Sequence, residues 1–150
     1  MKDIAVIGAG YVGLTTAACF AKMGHHVVLS EIDRTKAELV RAGISPIFEA
    51  GLSELLSEVI SSGHLSVTEN NIEAASNSDL IFICLPTPQD IDGSANTDVV
   101  FEVIGSISST LTSRSILITK STMPIGSAKK IQNLVTVSYT HLTLPTNREV

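Results

Sequence analysis

The sequence predicts an α/β fold, a doubly wound and mostly parallel sheet, on three observations. Short apolar runs alternate with segments of helical spacing, the pattern of strands covered on both faces by crossover helices. The first apolar run ends in a glycine-rich turn that opens a helix. Glycine also closes several of the helical segments, where a left-handed cap is common.

Asp3-Ile4-Ala5-Val6-Ile7 reads as a strand buried on both faces and ended by Gly8. Leu14 to Met23 carries apolar and small residues at helical spacing and stops at Gly24. Val27-Val28-Leu29 is a second strand. Asp33 is placed to cap a helix from Arg34 to Arg41, which Gly43 closes. Leu52 to Ile60 is a short amphipathic helix, and Leu65-Ser66-Val67 a short strand. Leu80-Ile81-Phe82-Ile83-Cys84-Leu85 is the strongest strand, apolar throughout. A helix over Val99 to Ile107, a strand at Ile116-Leu117-Ile118 and a helix over Ser127 to Leu134 complete the reading.

Composition narrows the function. The chain has 150 residues, 44% of them hydrophobic and 17% charged, which excludes a disordered chain. A formal net charge of −5 argues against binding nucleic acid through bulk electrostatics. Two cysteines are too few for a disulfide scaffold and lack metal-ligand spacing, so no metal site is expected. No apolar run approaches the roughly 20 residues of a membrane span, and no secretory leader precedes the first strand. The expectation is a soluble, cytoplasmic domain with no membrane partner.

Gly8-Ala9-Gly10-Tyr11-Val12-Gly13 fits the G-x-G-x-x-G pattern, and its context gives it weight. Gly8 permits the tight turn, Gly10 lets backbone approach a pyrophosphate, and Gly13 lets the helix lie close on the sheet. The helix N-terminus would offer free N–H donors and a positive dipole end to phosphates. Glu31 follows Gly13 by 18 residues, at the end of the next strand, close to the roughly 20 typical of a ribose-binding acid. Its carboxylate would accept from both ribose hydroxyls and repel a 2′-phosphate, so NAD is favoured over NADP. The alternative is a tight strand–helix turn with no ligand. Asp33 reads as a helix cap, and Arg34 and Lys36 as solvated first-turn residues.

Ligands of open α/β sheets bind outside the carboxyl ends of the strands, and two further ends here carry unusual chemistry. In Leu85-Pro86-Thr87-Pro88 the prolines lack N–H groups and hold Leu85 and Thr87 extended. That presents Thr87 to the crevice, unless the segment is only a stiff surface turn. In Lys120-Ser121-Thr122-Met123-Pro124 two hydroxyls stand where they could orient a water or a substrate hydroxyl. On spacing alone they serve equally as helix-entry residues. Asp92-Gly93-Ser94 reads as an ordinary turn. Cys19 and Cys84 both read as small core hydrophobes, and His25, His26 and His64 as surface residues of turns.

Five segments together resemble the UDP-glucose/GDP-mannose dehydrogenase family. They are Ile7 to Leu14, Gly43-Ile44-Ser45-Pro46-Ile47-Phe48-Glu49-Ala50-Gly51-Leu52, Leu85 to Pro88, Asp92-Gly93-Ser94-Ala95, and Lys120-Ser121-Thr122-Met123-Pro124-Ile125-Gly126, in the family's order and spacing. The resemblance implies oxidation of a sugar-nucleotide C6 alcohol to a carboxylate with two NAD+ reduced. It implies that the turn of Gly8, Ala9, Gly10, Tyr11, Val12 and Gly13 holds the pyrophosphate and Glu31 the adenosine ribose. It adds Lys36, Thr87 and Thr122 as cofactor-contacting positions, and Thr122 as a catalytic threonine that helps order a water. It also implies a homo-oligomeric parent. Two positions depart from the pattern: Glu31 stands for the usual Asp, and Ala50 for the usual proline before Gly51.

The family's cysteine nucleophile, lysine and asparagine match nothing in this chain, and neither Cys19 nor Cys84 corresponds to that nucleophile. The expected layout is a truncated NAD-binding domain over 1–136, with the central helix and the second, substrate-binding domain absent. Residues 137–150 read as a non-native tail, because Val137 to Thr146 is what DNA resembling a transposase-type sequencing adapter would encode. His141 then carries no functional weight. Two other readings stay open: a nucleotide-binding or regulatory module without chemistry, and a two-domain hydroxyacid or hydroxyacyl-CoA dehydrogenase.

Overall fold

The computed structural model describes residues 1–138. Its sheet has five strands: β1 (Asp3–Ile7), β2 (His26–Ser30), β3 (Leu65–Thr68), β4 (Leu80–Ile83) and β5 (Ile116–Thr119). All pair in parallel, in the order β3-β2-β1-β4-β5. The helices are α1 (Tyr11–Lys22), α2 (Arg34–Arg41), α3 (Leu52–Ser61), α4 (Asn71–Ala75), α5 (Asp98–Ile107) and α6 (Ser127–Ser138), with a 3-10 turn over Ser108–Thr110.

Side chains of a strand alternate between faces, and β1 shows what that does here. Ile4 and Val6 enter one core with Leu14, Ala17, Ala18 and Ala21 of α1 and Leu56 and Val59 of α3. Ala5 and Ile7 enter the opposite core with Ile104 and Ile107 of α5 and Ile131 and Val135 of α6. Both faces are thus covered by helices, as the apolar runs require. The alanines of α1 keep that helix close to the sheet, which fixes where its N-terminus sits over β1.

Several boundaries follow from caps. The Asp33 carboxylate accepts from the Lys36 N–H at 3.2 Å, and α2 runs from Arg34 to Arg41 as the sequence implies. Several elements differ from expectation: β4 stops at Ile83 rather than Leu85, the 3-10 turn over Ser108–Thr110 is additional, and three helices depart as follows. Helix α1 begins at Tyr11 rather than Leu14, so Tyr11 to Gly13 of the glycine motif already lie in the first helical turn. Helix α4 was not foreseen; the Asn70 side chain caps it by accepting from Ile72 and Glu73 N–H groups. Helix α6 continues past Leu134 to Ser138, beyond the expected junction at Val137. The rest of the expected tail, 139–150, lies outside the described residues.

Strand β5 is an edge, and its side chains are only half covered, with Ile116 56% exposed. No helix among the described residues is long and apolar enough to cross a membrane.

Candidate functional site

Four chemistry-bearing turns leave the carboxyl ends of neighbouring strands: the glycine turn after β1, Glu31 after β2, Leu85–Pro88 after β4 and Lys120–Thr122 after β5. The chain runs outward from β1 to β2 and β3 on one side, then returns to β4 and β5 on the other. The crevice at such a reversal is where open α/β sheets take ligands.

The three motif glycines do different jobs. Gly8 has φ +101°, a left-handed conformation, and a Cβ there would stand 2.6 Å from the Cys84 carbonyl oxygen. A Cβ on Gly13 would overlap the Gly8 carbonyl oxygen and lie 3.1 Å from the Cys84 Cβ. These two glycines let turn, helix and β4 meet. Gly10 is different. Its backbone is ordinary extended chain (φ −75°), it is exposed, and a Cβ there would meet nothing within 4 Å. Nothing inside the protein requires glycine at position 10, and the space beside its backbone is open.

Gly10 is also the N-cap of α1, with no side chain capping the helix and no acidic residue in its first turn. The first N–H groups of the helix, including those of Tyr11 and Val12, are therefore left for an anion. Tyr11 and Val12 are 60% and 47% exposed beside them. Ala9 is buried, and its N–H donates to Glu31 Oε2 at 3.0 Å. The other carboxylate oxygen, Oε1, accepts from the Asp33 N–H at 2.9 Å. Two backbone amides thus orient the Glu31 carboxylate against the glycine turn before any ligand arrives. Each oxygen keeps a further lone pair for a hydroxyl.

Lys36 is exposed on the first turn of α2, the helix that follows Glu31. Thr87 is half-buried and Thr122 exposed, and neither hydroxyl has a hydrogen-bond partner among the described residues. Asp92-Gly93-Ser94 is the turn expected: Asp92 Oδ1 accepts from the Ser94 N–H at 2.9 Å and from its hydroxyl at 2.6 Å. Those bonds hold the Asp92 carboxyl below its usual range.

The cysteines divide. Cys84 is buried as expected, and burial raises its thiol pKa, opposed in part by the Lys120 charge. Cys19 corrects the expectation of a core residue. It is exposed, in an open groove with Thr15, Thr16, Phe20, Met23, Phe82 and Lys120. The reason is rotational: Leu14, Ala17, Ala18 and Ala21 form the buried stripe of α1, and Cys19 lies off it. Of the histidines, His26 is exposed with Nδ1 3.6 Å from Asp3 Oδ1, while His64 is half-buried with its Nδ1 enclosed. No group of three metal-ligating side chains occurs among the described residues.

Comparison with known proteins bears on the same site. The family model described as "UDP-glucose/GDP-mannose dehydrogenase family, NAD binding domain" matches residues 2–147. A UDP-glucose 6-dehydrogenase of Bacillus subtilis (strain 168) is 39% identical over 134 residues, covering 89% of this chain and 30% of its own length. A GDP-mannose 6-dehydrogenase of Azotobacter vinelandii is 35% identical over 131 residues, covering 85% of this chain and 30% of its own. Among solved structures, a UDP-glucose dehydrogenase from Pyrobaculum islandicum superposes with a TM-score of 0.88 at 32% identity, over 96% of this chain and 34% of that one. A GDP-mannose dehydrogenase from Pseudomonas aeruginosa, solved as a ternary complex, gives 0.84 at 31% identity, over 90% and 32%. The chain spans about 30% of the length of these curated relatives. With a glycine turn, an oriented acid and a family match over nearly all its length, the chain belongs to the UDP-glucose/GDP-mannose dehydrogenase family, within that family's NAD-binding domain.

Proposed function

We propose that this chain is the NAD-binding half of a nucleotide-sugar dehydrogenase that oxidises the C6 alcohol of a UDP-sugar to the carboxylate, UDP-glucose to UDP-glucuronate in the favoured reading. Several curated relatives bear the name UDP-glucose 6-dehydrogenase, which supports that substrate over a GDP-sugar. The observation that carries the cofactor half of the reading is the Glu31 carboxylate, oriented by the Ala9 N–H beside an uncapped helix N-terminus.

The residues fit a dinucleotide. Gly10 offers open space where a Cβ would stand, and the first amides of α1 would hold the pyrophosphate. Glu31 would accept from the 2′- and 3′-hydroxyls of the adenosine ribose and would repel a 2′-phosphate. Lys36, exposed on the first turn of the helix that follows Glu31, is assigned to bring its ammonium to the nucleotide. Bound NAD+ supplies the hydride acceptor. Thr87 and Thr122 bring hydroxyls with no partner among the described residues to the ends of β4 and β5, and Thr122 is assigned to hold a water beside the substrate carbon.

Turnover needs more than these residues. Hydride transfer requires a substrate held in near-attack geometry, which one wall of a cleft does not provide. The step to the acid level uses an activated nucleophile. Burial raises the Cys84 thiol pKa, against the thiolate that such a nucleophile needs. Cys19 lies six residues along α1 from Gly13, about 9 Å of helix beyond the glycine turn, and among the described residues no histidine or carboxylate lines its groove to activate it as a nucleophile. The chain alone is therefore assigned cofactor binding without oxidation.

Calorimetric titration of the chain with NADH and with NADPH tests the ribose assignment. NADH is expected to bind more tightly. Glu31→Ala is expected to weaken NADH binding by about 1–3 kcal/mol, the scale of charge-assisted hydrogen bonds, and to erase much of the preference. Equal or tighter binding of NADPH by the unaltered chain would sink the assignment.

A further inference from the structure

Strands β4 and β5 end in register, Ile83 opposite Thr119. The Lys120 N–H gives the last backbone bond of the ladder, to the Ile83 carbonyl at 2.9 Å. Beyond it the two loops part, and the Ser121 hydroxyl bridges them by donating to the Leu85 carbonyl at 2.7 Å. That carbonyl begins the Leu85–Pro88 segment, in which Pro86 and Pro88 have no N–H with which to anchor themselves. The far end of the segment is tied by the Asn96 N–H, which donates to the Pro88 carbonyl at 2.7 Å. Thr87 lies between the two ties, and Thr122 directly follows the residue that makes the first.

We infer that Ser121 is a positioning residue: its bond to Leu85 locks the loops after β4 and β5 together, and so sets where the Thr87 and Thr122 hydroxyls stand. The three hydroxyls divide the work. The Ser121 hydroxyl donates to the protein, whereas those of Thr87 and Thr122 have no partner among the described residues and are left for ligand or water. The inference rests on the NAD reading above and deepens it by saying which half of the cofactor depends on this lock. With the ribose acid after β2 and the phosphate turn after β1, the strand order carries the nicotinamide half over the ends of β4 and β5. Loss of the Ser121 bond should therefore be felt by the nicotinamide half and not by the adenosine half.

The test uses the 150-residue chain and two ligands, NADH and ADP, each titrated by calorimetry. ADP carries the adenosine and the phosphates without the nicotinamide. Ser121→Ala is expected to weaken NADH about five- to tenfold, the worth of one neutral hydrogen bond, and to leave ADP within about twofold. Ser121→Thr, which keeps a hydroxyl, is expected to restore NADH binding to within about threefold. Unchanged NADH binding in Ser121→Ala would overturn the inference. So would equal weakening of both ligands, the mark of general unfolding or a merely structural bond, and so would a Ser121→Thr chain no better than Ser121→Ala. A wild-type chain that binds neither ligand would overturn the cofactor reading itself, a result distinct from the other three.

Discussion

Gly10→Val is expected to abolish saturable NADH binding while leaving the fold in place. The fold has no stake in the substitution: position 10 is exposed, its φ is one that any residue adopts, and a Cβ meets open space. The cost to stability should stay near 1 kcal/mol, because valine is a poorer helix N-cap than glycine. The ligand has everything at stake, since a branched side chain would stand where backbone must approach the pyrophosphate. We expect no saturation at NADH concentrations a hundred times the wild-type Kd, a loss above about 2.7 kcal/mol. Helix content by circular dichroism should match wild type. Surviving affinity would mean that the phosphates are held elsewhere.

Gly13→Ala, three residues along the same motif, is expected to do the reverse and damage the fold first. Its Cβ would overlap the Gly8 carbonyl oxygen and press on the buried Cys84 side chain. Neither neighbour is the free end of a flexible side chain, so the turn, the start of α1 or the end of β4 must move. Overpacking of this kind costs about 1–3 kcal/mol and occasionally more. With backbone as the obstacle we expect at least about 3 kcal/mol, a fall in Tm of roughly 6–12 °C for a domain this size. Urea unfolding of the two variants side by side separates the roles. A Gly13→Ala chain as stable as Gly10→Val would contradict the division of labour between the two glycines.

That division shows where sequence reasoning reached and where it stopped. The motif located the turn and gave Gly10 and Gly13 different parts, and the packing adds that a Cβ at position 10 meets open space whereas one at position 13 meets backbone. The strands were legible because β1 and β4 are apolar on both faces, a pattern that exposed segments do not produce. Helix α2 was legible to the residue because Asp33 caps it and Gly43 closes it at φ +74°. The start of α1 was not. Apolar periodicity toward the core begins at Leu14, whereas Tyr11 and Val12 are exposed. Helix α4 has five residues, too few for a periodic signal, although Asn70 and Glu73 already stood at cap spacing.

Cys19 falls outside the core because the buried stripe of α1 runs through Leu14, Ala17, Ala18 and Ala21, and residue type alone does not say on which side of a helix a cysteine stands. The Ser121–Leu85 bond joins residues 36 apart in sequence, and no local pattern announces it. Glu31 shows the opposite case. Its place at the end of β2 was legible, and the structure adds that the backbone amides of Ala9 and Asp33 hold its carboxylate against the glycine turn.

The proposed function is tested most directly by UDP-glucose-dependent NADH formation, followed by absorbance, in two samples: this chain, and the gene product continued through a second domain. The account predicts two equivalents of NADH per UDP-glucose from the longer protein. From the 150-residue chain it predicts none, even at NAD+ concentrations that saturate it. NADH formed by the chain alone would contradict the account, because it would place nucleophile and substrate wall within residues assigned only to holding the cofactor.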